Sequence, residues 1–320
     1  MTCISVIVPT KDRPRTLASL LSSILEQDRT PDETIVVDDS VSGETKQLVE
    51  NLREKFRARQ SSIIYVTGRK EGLPAARNLG INLSRGQILI FLDDDIIMAR
   101  NVISILSTFL MNNIQAKGAS PRVKNIASSS TPHRSLVNAF RKAFGLDYLV
   151  PNKLGATQVG TSIFPSIVTT RITAARLFGC CFAFRRDVFK SRGFDTKMKG
   201  YAYGEDFEFS YWVNLTYPMS LFVLPEAVVW HKEAPEVGID AKRQTESYLF
   251  YKTYIFFKHF YMGRLRYLIL FLYSLAGQLI LLSFEGLVKQ PRQPQKLFFA
   301  FQAFTKLLWR FPNVIKGEIP

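Results

Sequence analysis

The first hundred residues alternate short apolar runs with segments whose apolar residues recur at helical spacing. Ile4–Val8, Thr34–Val37, Ile63–Val66 and Ile88–Leu92 read as strands. Leu17, Leu20, Leu21, Ile24 and Leu25 follow the first, a polar segment with Leu48, Val49 and Leu52 follows the second, and Leu73–Leu83 follows the third. A continuous or two-residue period suits a strand, and a period near 3.6 suits a helix that buries one face. Strands separated by helices build βαβ units, so the spacing predicts an α/β fold with a mostly parallel central sheet. The loops near Thr10, Asp39, Gly68 and Asp95 then gather at one sheet edge, where open α/β sheets bind ligands.

Two of those four loops are acidic: Asp38-Asp39 and Asp93-Asp94-Asp95. Adjacent carboxylates repel unless a cation neutralises them. Oxygen ligands suit the hard ions Mg²⁺ or Mn²⁺, which commonly bridge carboxylates to a diphosphate. The plainer alternative is an acidic turn that solvates the end of a strand.

A chain of 320 residues with 47% hydrophobic and 22% charged residues can bury one large core or two smaller ones. Cys3, Cys180 and Cys181 are odd in number and include an adjacent pair, a poor disulfide framework that fits a reducing compartment. The N-terminus runs straight into an apolar strand, so no secretory signal is expected. The net charge of +15 is uneven, with twelve Lys/Arg and three Glu in residues 241–320. These basic residues flank apolar, aromatic-rich segments, which points to a membrane surface. No nucleic-acid-binding signature accompanies them, so nucleic acid is not expected as a partner.

Tyr267–Phe284 is 18 residues without a charge, at the lower limit for a transmembrane helix. Both its flanks are basic, against the asymmetry of a single span. An interfacial or re-entrant anchor is the favoured expectation, with Leu297–Phe311 as a second interfacial helix and with a true span or soluble packing as the alternatives. Residues 125–175, rich in Ser, Thr and Pro, read as an irregular acceptor-side insertion. Leu177–Phe184 looks like a strand, and a helix carrying Phe207, Phe209, Trp212 and Val213 follows Gly204-Glu205-Asp206. Ser220–Leu224 and Ala227–Trp230 read as short strands, the second ending at His231. The expected division is a catalytic domain at 1–240 and a basic helical membrane-associating region at 241–320.

Taken in order, Ser5-Val6-Ile7-Val8-Pro9-Thr10, Val36-Val37-Asp38-Asp39-Ser40, Gly72 through Ala75-Ala76-Arg77-Asn78, Phe91-Leu92-Asp93-Asp94-Asp95, Gly193-Phe194-Asp195 and Gly204-Glu205-Asp206 resemble the family 2 glycosyltransferases. The resemblance covers about residues 4–232. It implies a GT-A nucleotide-sugar-binding fold with a mixed, mostly parallel central sheet, and an inverting, metal-dependent glycosyltransferase of the hexosyl- or deoxyhexosyl-transferase class. By that resemblance Pro9, Thr10 and Asp39 line the nucleoside pocket. Arg77 lies near the diphosphate or orients the acidic loop, and Asp93 and Asp94 belong to the donor site. Asp95, with His231, holds Mg²⁺ or Mn²⁺. Asp206 matches the catalytic base, with Glu205 beside it for acceptor hydroxyls.

Two departures stand out. Lys11-Asp12-Arg13 occupies the place where many relatives have an aromatic residue and an Asn, which bears on base and sugar preference. The later Gln/Arg-rich signature of processive synthases is missing, which favours transfer of a single sugar. The implied partners are a nucleotide-sugar donor, a glycan or lipid-linked acceptor and a membrane surface. The implied location is the cytoplasmic side of the cell membrane, peripheral or anchored through the C-terminal region. The alternatives are an inactive membrane scaffold of the same fold and a nucleotidyltransferase-like enzyme. Against the latter, Pro9-Thr10-Lys11-Asp12-Arg13-Pro14 contains no glycine for a phosphate loop.

Overall fold

The computed structural model describes residues 3–125, 143–144, 168–232, 241–261, 263–288 and 295–318. Strands β1 (Ile4–Thr10), β2 (Glu33–Asp38), β3 (Ser62–Thr67) and β4 (Ile88–Leu92) are joined by helices α1 (Pro14–Leu25), α2 (Glu44–Ala58) and α3 (Leu73–Leu83). Every residue of β1, β2 and β4 is buried, the pattern of strands covered by helices on both faces. Helix α1 turns Leu17, Leu20, Leu21 and Ile24 inward and starts at Pro14, whose fixed φ suits a first turn that needs no N–H. Gly80 lets α3 lie close to the sheet, because a Cβ there would come within 2.4 Å of Ile7.

The chain continues through β5 (Ile96–Met98), α4 (Val102–Asn112), β6 (Gly118–Asn125), β7 (Ile172–Thr173), β8 (Cys181–Arg185), a 3-10 turn at Arg186–Lys190, α5 (Glu205–Thr216) and β9 (Leu221–His231). The sheet order is β3-β2-β1-β4-β8-β6-β9-β5, with β7 on β9. The β1–β2, β1–β4, β2–β3 and β6–β9 pairings are parallel. The β4–β8, β5–β9, β6–β8 and β7–β9 pairings are antiparallel. The sheet is therefore mixed, as expected, and its parallel part is concentrated in the first four strands. Parallel neighbours need a crossover of a dozen or more residues, and the helices α1 to α3 supply it only there. The two short strands expected at Ser220–Leu224 and Ala227–Trp230 are one strand, β9. Its register against β6 shifts between Pro121 and Arg122, where proline has no N–H for the ladder.

The described residues divide into two compact units. One, of residues 3–125, 168–196 and 205–232, holds the whole sheet. The other comprises 143–144, 197–204 and 241–318. The second unit is built from α6 (Ala241–His259), α7 (Leu265–Val288), α8 (Gln295–Trp309) and α9 (Phe311–Lys316). Phe256 of α6 stacks on Phe271 of α7 at 4.0 Å, and Lys306 of α8 pairs with Glu246 of α6 at 2.6 Å. The uncharged run Tyr267–Phe284 lies within α7. Among the described residues no helix is long and apolar enough to cross a membrane. Most of the insertion expected at 125–175 lies outside the described residues.

Candidate active site

Parallel order brings the C-terminal ends of β1, β2 and β3 together, as the loop hydrogen bonds record. The Asp39 N–H donates to the Thr10 carbonyl at 3.0 Å, and the Gly68 N–H to the Asp38 carbonyl at 2.8 Å. The Asp39 carboxylate accepts the Lys70 N–H at 2.9 Å, which ties the β2 loop to the β3 loop. Pro9 and Thr10 end β1, paired in register with Val37 and Asp38.

The acidic turn leaves β4 beside these loops. Asp94 is buried and engaged on both oxygens: Thr10 Oγ1 donates to Oδ2 at 2.7 Å and Arg13 Nη1 to Oδ1 at 2.9 Å. It therefore fastens the acidic turn to the β1 loop. Arg13 also lies 3.6 Å from Asp95. His231 comes to the turn through register, because β9 pairs antiparallel with β5 and sets His231 opposite Ile96. Its Nε2 lies 3.1 Å from Asp95 Oδ1. Asp93, Asp95 and His231 each offer one ligand atom, all within 4.8 Å of one another.

Arg77 occupies the buried side of α3 and is 1% exposed. It ion-pairs with Glu205, donates to Asp93 at 3.0 Å and to the Gly179 carbonyl at 3.1 Å. Its guanidinium lies over the rings of Phe182 at 4.9 Å and Phe194 at 5.4 Å. Asn78, the next residue, clamps the Phe194 backbone through two hydrogen bonds of 2.8 and 2.9 Å. The Ala-Ala-Arg-Asn and Gly-Phe-Asp motifs thus form one structural unit: Asn78 fixes Phe194, and Phe194 covers Arg77.

Glu205 and Asp206 open α5, whose first turn favours negative charge. Their surroundings differ. Glu205 is 4% exposed and bound to Arg77, whereas the Asp206 side chain is 19% exposed. Asp206 Oδ2 accepts the Gly179 N–H at 2.8 Å and faces Arg176 Nη1 at 3.4 Å. The Gly179 peptide serves both acids, its N–H toward Asp206 and its carbonyl toward Arg77. A Cβ on Gly179 would sit 2.6 Å from the Asp206 Cβ, so that close approach requires glycine.

Crowding shows in the ionisation of these acids. Burial pushes Asp93 up to about 7, with Asp95 and Asp94 adding to the rise and Arg77 and His231 opposing it. Burial likewise pushes Glu205 up to about 8 against the pull of Arg77. Asp94 is raised by burial, with Arg13 and Thr10 working the other way. Five carboxylates, Asp93, Asp94, Asp95, Glu205 and Asp206, meet three guanidiniums, Arg13, Arg77 and Arg176. This crowding disfavours full ionisation of the acids, a cost that a divalent cation offsets, and two carboxylates with an imidazole form a suitable donor set. Sequence reading had no role for Arg176 or Gly179. The one signal for Arg176 is a lone arginine in the apolar run Ala174-Ala175-Arg176-Leu177-Phe178.

Fold and site together place the chain among α/β proteins of GT-A-like fold. Residues 5–193 match the family described as Glycosyl transferase family 2, and the protein belongs to that family. It is similar to the poly(ribitol-phosphate) beta-N-acetylglucosaminyltransferase TarS of Staphylococcus aureus, 28% identical over 145 residues, covering 42% of this chain and 25% of TarS. A second relative is the GalNAc(5)-diNAcBac-PP-undecaprenol beta-1,3-glucosyltransferase of Campylobacter jejuni, 37% identical over 94 residues, 29% of each chain. These matches span less than a third of either relative. Among solved structures, S. aureus TarS 1-349 in complex with UDP-GlcNAc aligns with TM-score 0.53 at 18% identity, covering 99% of this chain and 88% of that one. The mannosyltransferase PcManGT from Pyrobaculum calidifontis, in complex with GDP-Man and Mn²⁺, aligns with TM-score 0.58 at 18% identity, covering 96% and 87%.

Proposed function

We propose that the protein is an inverting glycosyltransferase that moves one sugar from a nucleotide diphosphate sugar to a hydroxyl acceptor. The observation that carries this reading is the gathering of Asp93, Asp95 and His231 at the same sheet edge as the β1 and β2 loops. Asp39, Pro9 and Thr10 border the nucleoside, and Asp94 holds their loop to the acidic turn. Asp95 and His231, with Asp93 beside them, fit Mg²⁺ or Mn²⁺. Such an ion supplies positive charge for the departing diphosphate. Asp206 takes the proton of the acceptor hydroxyl, the freed oxygen bonds to the anomeric carbon, and the carbon–oxygen bond to the diphosphate breaks with its electron pair on the leaving group. Glu205 and Arg77 orient the loops around this centre. The C. jejuni relative's name specifies a polyprenyl-diphosphate-linked glycan, which supports a lipid-linked acceptor here.

Thermal shift with UDP-, GDP- and dTDP-sugars tests the donor reading. In the presence of Mn²⁺, one nucleotide class is expected to raise the melting temperature by about 5 °C at a hundredfold excess over Kd. Chelator, Asp95→Asn and His231→Ala should each abolish the shift. No shift with any nucleotide would overturn the donor site.

The C-terminal helices carry the second part of the proposal, docking on the cytoplasmic face of a membrane. Leu265, Ile269 and Leu272 of α7 and Phe298, Phe301 and Trp309 of α8 are exposed, Trp309 at 83%. Arg264, Arg266 and Lys316 are exposed in the same unit. Apolar and aromatic side chains beside basic ones suit an anionic lipid interface. Flotation with phosphatidylcholine vesicles, with and without phosphatidylglycerol, is expected to recover the protein with the anionic ones. Recovery should fall in Phe301→Ser/Trp309→Ser. Equal absence from both vesicle types would remove the membrane from the proposal.

A further inference from the structure

We propose that Arg176 is a positioning residue for the base: with the Gly179 amide it pins Asp206 through Oδ2 and leaves Oδ1 as the oxygen that takes the acceptor's proton. This rests on the reading of Asp206 as the base, and adds which of its oxygens works and which side chain aims it.

Arg176 precedes β8 and is 5% exposed. Its guanidinium lies over the ring of Phe178 at 5.3 Å and over that of Phe207 at 5.7 Å. One of those rings comes from its own segment and the other from α5, beside Asp206 itself. The planar group is thus held between the strand entry and the helix start, with Nη1 3.4 Å from Asp206 Oδ2. The Gly179 N–H reaches the same oxygen at 2.8 Å. Among the described residues no hydrogen bond reaches Oδ1. An ionised carboxylate has acceptor sites on both oxygens, so anchoring one fixes the direction of the other without using it.

The adjacent acid shows the contrast. Glu205 is bound by Arg77 and shut away from solvent, while Asp206 keeps partial exposure. Each member of the Glu-Asp pair has its own buried arginine. Arg77 reaches one oxygen of Glu205 and burial closes the acid to solvent, whereas Arg176 faces one oxygen of an Asp206 that keeps 19% exposure. A buried guanidinium is costly to desolvate and tolerable when a carboxylate faces it, which explains an arginine inside an apolar run.

The test uses the full chain and the donor that the wild type turns over, chosen from a panel of UDP-, GDP- and dTDP-sugars with Mn²⁺ and read as nucleotide release. Arg176→Gln is expected to lower kcat about 100-fold, the cost of a base displaced by about 1 Å, with donor KM changed less than about twofold. Arg176→Lys, which keeps the charge but not the planar fork, should recover about a tenth of the lost rate. The melting shift produced by nucleotide and Mn²⁺ should stay that of the wild type. If Arg176→Gln fails to fold, Arg176→Lys carries the test, with reduced kcat at constant KM as the expected result. A stability loss with kcat within a few fold of wild type would show that Arg176 only staples the segment to α5. The same holds if Lys performs no better than Gln, and either result overturns the inference while leaving the proposed function standing. A wild type that releases nucleotide from no donor overturns the function itself.

Discussion

Asp206→Asn should lower turnover by about 1,000-fold, within the range that a positioned general base contributes, while leaving nucleotide binding intact. A sugar hydroxyl is a poor nucleophile at neutral pH, so the rate depends on a group that accepts its proton as the new bond forms. Asn keeps the shape and can still meet the Gly179 N–H through its amide oxygen, but it cannot take the proton. Of the two adjacent acids, only Asp206 combines partial exposure with an oxygen that has no protein donor among the described residues. Glu205→Gln should cost turnover less than Asp206→Asn, because Glu205 acts through Arg77 and is closed to the acceptor. Nucleotide release and the melting shift, measured on the same preparations, separate the two effects. Asp206→Asn with wild-type turnover would remove Asp206 as the base. The loss of both turnover and the nucleotide shift would instead place it in donor binding.

Much of the sheet was legible because its strands are continuous apolar runs bounded by polar loops. Leu73–Leu83 reads as a helix from end to end and is α3. The antiparallel half was hidden, since a strand's direction depends on where distant loops return, and Leu177–Phe184 looks the same whichever way it pairs. Only Cys181–Arg185 of that neighbourhood is ladder. The preceding residues form the turn that carries Arg176 and Gly179. The acidic turn was visible as a triplet, but not the division of labour within it. Asp94 faces Thr10 and Arg13, whereas Asp93 and Asp95 face His231, and that difference follows from backbone direction after β4. His231 reaches Asp95 through the register of β5 against β9, which no local pattern encodes. Arg77 was open to two readings, near the diphosphate or orienting the acidic loop. Its 1% exposure and its contacts with Glu205, Asp93 and Gly179 support the second.

Arg77→Met should destabilise the fold by about 3–5 kcal/mol at alkaline pH, the cost of leaving a buried carboxylate without its partner. The size of the loss depends on pH in a defined direction. Glu205 is held up to about 8 in the folded protein, above its unfolded value near 4.5. Its contribution is fully present below the unfolded value and is lost as pH rises through that window. Removing Arg77 takes away the largest influence that lowers Glu205 and raises the folded value further. Up to pH 8 wild type and variant hold the same proton on Glu205 and lose stability in parallel. Above it the wild type levels off and the variant continues to fall. At pH 9 the gap attributable to Glu205 should exceed that at pH 6 by about 1.4 kcal/mol, one unit of proton linkage. Arg77→Met/Glu205→Leu removes the stranded acid along with its partner and should recover most of the alkaline loss, since an apolar replacement of a buried pair is often neutral. Urea unfolding of wild type and the two variants at pH 6 and pH 9 measures all of this. A pH-independent deficit in Arg77→Met would mean that Arg77 acts through the Phe182–Phe194 stack, and no recovery in the double variant that it acts through Asp93 or that stack, with Glu205 a bystander.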